Sequence, residues 1–183
     1  MSDTLTLDAY GSLIEPATLK IQRLLPGPAE RIWAYLTESD LRRQWLASGA
    51  MEKMPGTSFE FVWRNDELTD PPGQRPADMS GEHRMTCTIT ECDAPHRLVI
   101  TWGEKQTGEV TFELEKMGDK VMLTIIHRRV PSRDILLNVS SGWHAHLDVL
   151  VARLTGTTPA PHWDHWAYLR VEYDKRLPAC PGN

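Results

Sequence analysis

Basic residues are in the minority: 20 Lys and Arg face 25 Asp and Glu, a formal charge of -5 over 183 residues. The broad positive face that a general nucleic-acid binder needs is therefore missing. No apolar run is long enough to cross a bilayer. The opening stretch MSDTLTLDAY carries no basic segment ahead of an apolar core, so no secretory leader is read and a cytoplasmic setting is expected. Cysteine is scarce. Cys87, Cys92 and Cys180 include no C-x-x-C pair, which removes zinc knuckles and thioredoxin-like motifs. Cys87 and Cys92 lie an odd number of positions apart in a strand-like run, on opposite faces. They are expected to be free thiols in a reducing compartment. The chain also lacks a G-x-S-x-G elbow, an H-E-x-x-H helix and any internal repeat.

What is there reads as an ordinary globular chain, 40% hydrophobic and 25% charged. Residues 18–25, TLKIQRLL, predict a first strand. PGPAE breaks it, and two short helices follow in AERIWAYLT and LRRQWLA, the second capped by Ser39 or Asp40. Five stretches then alternate with period two. Phe59, Phe61 and Trp63 share a face, as do Met85, Cys87 and Ile89. So do Leu98, Ile100 and Trp102; Val110, Phe112 and Leu114; and Val121, Leu123, Ile125 and His127. One apolar and one polar face is the pattern of an antiparallel sheet packed on one side. The connectors at 93–96, 104–108 and 117–120 are short and rich in turn formers.

Leu136, Val139, Trp143, Leu147, Leu150 and Leu154 then recur at helical spacing up to Gly156. A one-sided curved sheet needs a cover, and this helix is the only element large enough. The expected fold is α+β: a helix-grip, with a curved antiparallel sheet wrapped around a long C-terminal helix. Residues 1–158 would form that domain. Residues 159–183 would form a C-terminal extension holding an amphipathic helix, with His162, Trp166, Leu169 and Tyr173 on one face. That extension is expected to dock on its own domain or on a second copy. The polar, proline-rich stretch 65–81 reads as a loop or flap.

The blocks PGPAERIWAYLTESDLRRQWL, PHRLVITW and SGWHAHLDVLVARLTG, in this order, resemble the START-like or SRPBCC superfamily. More narrowly, they resemble bacterial relatives of the C-terminal domain of the activator of Hsp90 ATPase. The resemblance implies a helix-grip with an internal cavity. It implies no common catalytic set, and fold alone does not give function.

The leading expectation is a non-catalytic START-like protein that binds a small hydrophobic molecule between sheet and helix. Its candidate wall is Phe59, Phe61, Trp63, Met85, Ile89, Ile100, Trp102, Phe112, Ile125, His127, Trp143, His146 and Leu150. His146, at the edge of the helical stripe, is either a hydrogen-bonded core histidine or a ligand-contacting group. His127 is expected at the cavity rim, and His144 with Asp148 as a solvent-facing pair. No cofactor and no metal is expected: His162, Asp164 and His165 suggest an ion, but a further ligand is not identifiable. A homodimer is expected. The rival functions are a chaperone-associated interaction module, with an Hsp90-type partner, and an enzyme of the cyclase, aromatase or hydrolase kind.

Overall fold

The computed structural model describes residues 8–103 and 108–179. Cys180, the first seven residues and most of the 104–108 connector lie outside them. In chain order the elements are β1 (Ser12–Glu15), β2 (Thr18–Pro26), α1 (Ala29–Thr37), α2 (Ser39–Arg42) and β3 (Ser58–Trp63). Then come β4 (His83–Asp93), β5 (Arg97–Trp102), β6 (Gly108–Met117), β7 (Lys120–Arg128), α3 (Arg133–Thr155) and α4 (His162–Arg176). The strands form one sheet in the order β1-β2-β7-β6-β5-β4-β3, every neighbouring pair antiparallel. The chain therefore meanders from β3 to β7 and closes on the first hairpin. α1 and α2 carry it from β2 to the opposite edge.

The period-two residues are buried as their alternation requires: Ile21, Leu25, Phe59, Phe61, Ile89, Ile100, Phe112, Leu123 and Ile125 are all at most 5% exposed. β1 escaped the sequence reading. Its four residues SLIE are mostly exposed and carry no apolar alternation, so only pairing with β2 marks them as a strand.

The expected helix over LRRQWLA stops at Arg42. The cause is Arg42 itself, only 1% exposed. Its guanidinium donates to the carbonyls of Leu36, Thr37, Ala47 and Gly49, and lies over the Phe61 ring. The chain has to fold around that cation to deliver those carbonyls. Burial lowers the Arg42 pKa to about 10. Ser39, expected as a cap, lies inside α2, and its hydroxyl accepts instead from the Gly49 N–H.

α3 is capped at both ends. The Ser132 side chain accepts from Ile135 N, and Gly156 takes the left-handed conformation at φ 70. Its apolar stripe is buried against the sheet, with Leu147 and Leu150 fully inaccessible. Its other side is buried too, because α4 packs along it. Ala145, Val149 and Ala152 are at most 4% exposed, and side chains of this size let a second helix approach. α4 buries His162, Trp163, Trp166, Leu169 and Tyr173. Its far end is tied down by Arg133 on Asp174 and by Arg170 on Asn138 and Asp134. α4 thus docks on α3 of the same chain.

The 65–81 loop is pinned rather than free. The Trp163 indole donates to Asp66, the His162 N–H to the Thr69 hydroxyl and the Trp163 N–H to the Pro72 carbonyl. Asp164 accepts from Gln74 N. The α4 N-terminus and this loop stabilise each other, since the first N–H groups of a helix need acceptors.

Candidate functional site

Between the β3–β5 end of the sheet, α3, the start of α4 and the 65–81 loop lies a cavity of about 700 Å³. Five tryptophans border it: Trp63 and Trp102 from the sheet, Trp143 from α3, Trp163 and Trp166 from α4. The rings form two groups in contact, Trp63–Trp102–Trp143 and Trp163–Trp166. Trp102 lies 5.8 Å from Trp63 and 5.4 Å from Trp143, centroid to centroid. Trp163 meets Trp166 edge-on at 6.0 Å. Met79 from the loop and Met85 from β4 add adaptable apolar surface.

Three imidazoles interrupt this wall: His83 beside Trp63, and His146 and His162, whose ring centroids lie 4.8 Å apart. His146 Nδ1 donates to the Trp45 carbonyl at 2.7 Å, which leaves Nε2 as an acceptor. Burial lowers its pKa to about 4. His162 is 1% exposed, and neither ring nitrogen has a hydrogen-bond partner among the described residues. Burial, with His146 and His165 nearby, drives its pKa down to about 2. Both rings are therefore neutral at physiological pH. The buried Asn65 Oδ1, from a loop residue that also borders the cavity, is likewise unpartnered.

Of the thirteen wall residues expected from sequence, Trp63, Met85, Trp102, Trp143 and His146 border the cavity. Phe59, Phe61, Ile89, Ile100, Phe112, Ile125 and Leu150 lie in the packed core behind it, and His127 is buried as well. The physical reason is that α1, α2 and the leucines of α3 fill most of the sheet's concave face. The cavity lies towards its β3–β5 end. His127 is not at a rim. It is 2% exposed, accepts from the Trp143 indole N–H at 3.1 Å, and has its pKa lowered by burial to about 4. That bond orients Trp143 against the cavity.

Of the His144–Asp148 pair, Asp148 is half-buried with its side chain 36% exposed, but His144 does not face solvent. His144 is 4% exposed, under α4. His162 and Asp164 do not gather with His165 either: His162 turns to the cavity, Asp164 to the loop, and His165 to Asp148. Sequence reasoning missed Trp163, Trp166 and His162 as cavity residues. The signal was present in HWDHW, two tryptophans and two histidines after a proline-rich linker. Which element they cover is a tertiary fact.

A long helix gripped by a curved antiparallel sheet, with a pocket at one end, defines a START-like helix-grip protein. Residues 26–155 match the family described as "Activator of Hsp90 ATPase homolog 1-like protein", and the chain belongs to that family. Among solved structures, a Bordetella parapertussis protein determined by solution NMR is 36% identical. The match covers 93% of this chain and 92% of that one, with a TM-score of 0.77. CalU16 from Micromonospora echinospora is 19% identical with a TM-score of 0.65, over 90% and 93% of the two chains. A Colwellia psychrerythraea protein described as an Aha1 dimer is 14% identical with a TM-score of 0.59, over 75% and 95%. At such identities the last two speak to the fold alone. A search of curated proteins gave no match.

Proposed function

We propose that this chain binds a small, uncharged, largely apolar molecule with an aromatic ring system, and binds it without transforming it. The observation that supports this best is the clustering of five indoles with the neutral His146 and His162 rings around one cavity of about 700 Å³. Apolar walls with a few convergent polar groups are the usual composition of ligand pockets, and this volume suits one small molecule. Indole faces favour flat aromatic partners. The unpartnered His162 nitrogens offer one donor and one acceptor to a polar group on the ligand. A cytoplasmic setting, with Cys87 and Cys92 reduced, goes with this reading.

His162 separates binding from folding. An unpartnered buried polar group disfavours the empty protein, by roughly 1–3 kcal/mol. His162→Phe keeps a ring in place and removes that group, so it should raise the melting temperature. It should also weaken binding of a bicyclic phenol such as naphthol by roughly 1–3 kcal/mol, and leave naphthalene unchanged. Quenching of tryptophan fluorescence reads both. Saturable one-to-one quenching by the phenol is expected for the native chain. Non-saturable quenching by both probes would sink the reading.

A second reading, docking on an Hsp90-type chaperone, draws its support from the family's name. Stimulation of such a chaperone's ATPase by the purified chain, undiminished by a saturating cavity ligand, would favour it. For assembly we propose a homodimer, supported by the Colwellia relative described as a dimer. Light scattering should give about twice the chain mass. A monomer at high micromolar concentration would exclude it.

A further inference from the structure

We propose that His144, Asp148 and His165 form a binding site for a divalent transition-metal ion, of which zinc is the type, at the seam between α3 and α4. The site is separate from the cavity, and it stands or falls independently of the ligand reading.

The three ligand atoms already converge. Asp148 Oδ2 lies 2.7 Å from His165 Nε2 and 3.4 Å from His144 Nε2. One ligand atom from each residue falls within 4.8 Å of the others. Ligands of a tetrahedral ion, each roughly 2.0–2.1 Å from the metal, stand about 3.3 Å apart. Small rotamer adjustments therefore suffice. His144 and Asp148 are one helical turn apart on α3, so their side chains lie side by side. His165 comes from α4, which packs against that turn.

The outward atoms of the two α3 ligands are held as those of metal ligands are. His144 Nδ1 meets the Tyr173 hydroxyl at 2.9 Å, and that hydroxyl accepts from Gly11 N at 2.8 Å. Arg23 donates to the other Asp148 oxygen, Oδ1, at 3.1 Å, leaving Oδ2 turned to the imidazoles. Arg23 is in turn anchored on the Ala9 and Gln22 carbonyls. Such outer contacts fix ring orientation and carboxylate geometry.

The chemistry suits a borderline ion. Two imidazoles and one carboxylate favour zinc, cobalt or nickel over calcium or magnesium. Asp148 and His165 also border a second hollow of about 350 Å³ beside Thr157 and Thr158. That hollow provides room for water on the remaining coordination positions. The Arg23 charge opposes any cation here, so the expected affinity is micromolar rather than tighter.

The rival account is a hydrogen-bonded clasp that merely joins α4 to the domain. Titration of the full chain, stripped with chelator, with zinc and with cobalt separates the two. The expected result is one ion per chain, a higher melting temperature with zinc, and a visible cobalt absorption band. His165 is only partly buried, so His165→Gln should fold normally. It should weaken zinc at least tenfold and abolish the cobalt band. Asp148→Asn should do the same. Zinc binding that is absent, or that persists at native affinity in folded His165→Gln, overturns the proposal.

Discussion

Leu147→Asp should leave the chain unfolded at room temperature, or melting tens of degrees below the native protein. Leu147 is 0% exposed in the middle of α3, on the stripe that faces the sheet. Truncating a fully packed leucine typically costs about 2–5 kcal/mol. Placing a carboxylate there adds the cost of an uncompensated buried charge, on the order of several kcal/mol more. The sum is comparable to the whole stability of a domain this size, about 5–15 kcal/mol. Asp148, next along the helix, is tolerated because it faces Arg23 and two histidines. Leu147 instead sits within the hydrophobic core cluster. Circular dichroism melts of the two proteins decide it, and a difference of only a degree or two would show that α3 does not close the core.

The second large effect is acid lability from neutral buried histidines. Burial lowers His127 to about 4 and His162 to about 2, from an ordinary 6.5. His127 is packed between the Trp102 and Trp143 rings, with burial the sole cause of its shift. His162 is faced by His146 from α3 and by His165 from its own helix, and both oppose its protonation. Below about pH 6.5 the unfolded chain takes up a proton on each histidine while the folded chain does not. Stability is therefore fully present above that pH and falls as pH falls. Each group contributes about 1.4 kcal/mol per pH unit, so the pair removes roughly 2.7 kcal/mol per unit once pH is below about 5.5. Urea unfolding at pH 7.5, 5.5 and 4.5 should show this loss. His144 and His146, each lowered by burial to about 4, add to the same slope, so His162→Phe should remove about a quarter of the histidine part. Equal stability across the range, or an unchanged slope in the variant, would contradict the burial of these rings in neutral form.

The sheet was legible because each strand from β3 to β7 buries one face, and alternation follows from that alone. The stripe on α3 was legible for the same reason, and Gly156 marked its end. β1 was not, since an edge strand made of SLIE has no buried face to leave a pattern. The end of α2 was not, because Arg42 reads in sequence as an ordinary surface helix former. Its burial depends on four carbonyls that the folded chain brings to it.

The two regions of interest differ in the same way. Trp63, Trp102 and Trp143 sit on apolar faces that periodicity reveals, and they reach the cavity because those faces point inward. Trp163, Trp166 and His162 reach it only because α4 folds back over α3 and its first turn is clasped by the 65–81 loop. His144, Asp148 and His165 meet across the same seam.

The sequence by itself determined which faces of the strands and of α3 are apolar, and so the helix-grip, since alternation and helical spacing are local consequences of burial. Only the tertiary structure decided where packing stops and open space begins, and which histidines face one another. Those outcomes depend on side chains distant in sequence filling, or failing to fill, a shared volume, and no local period encodes that.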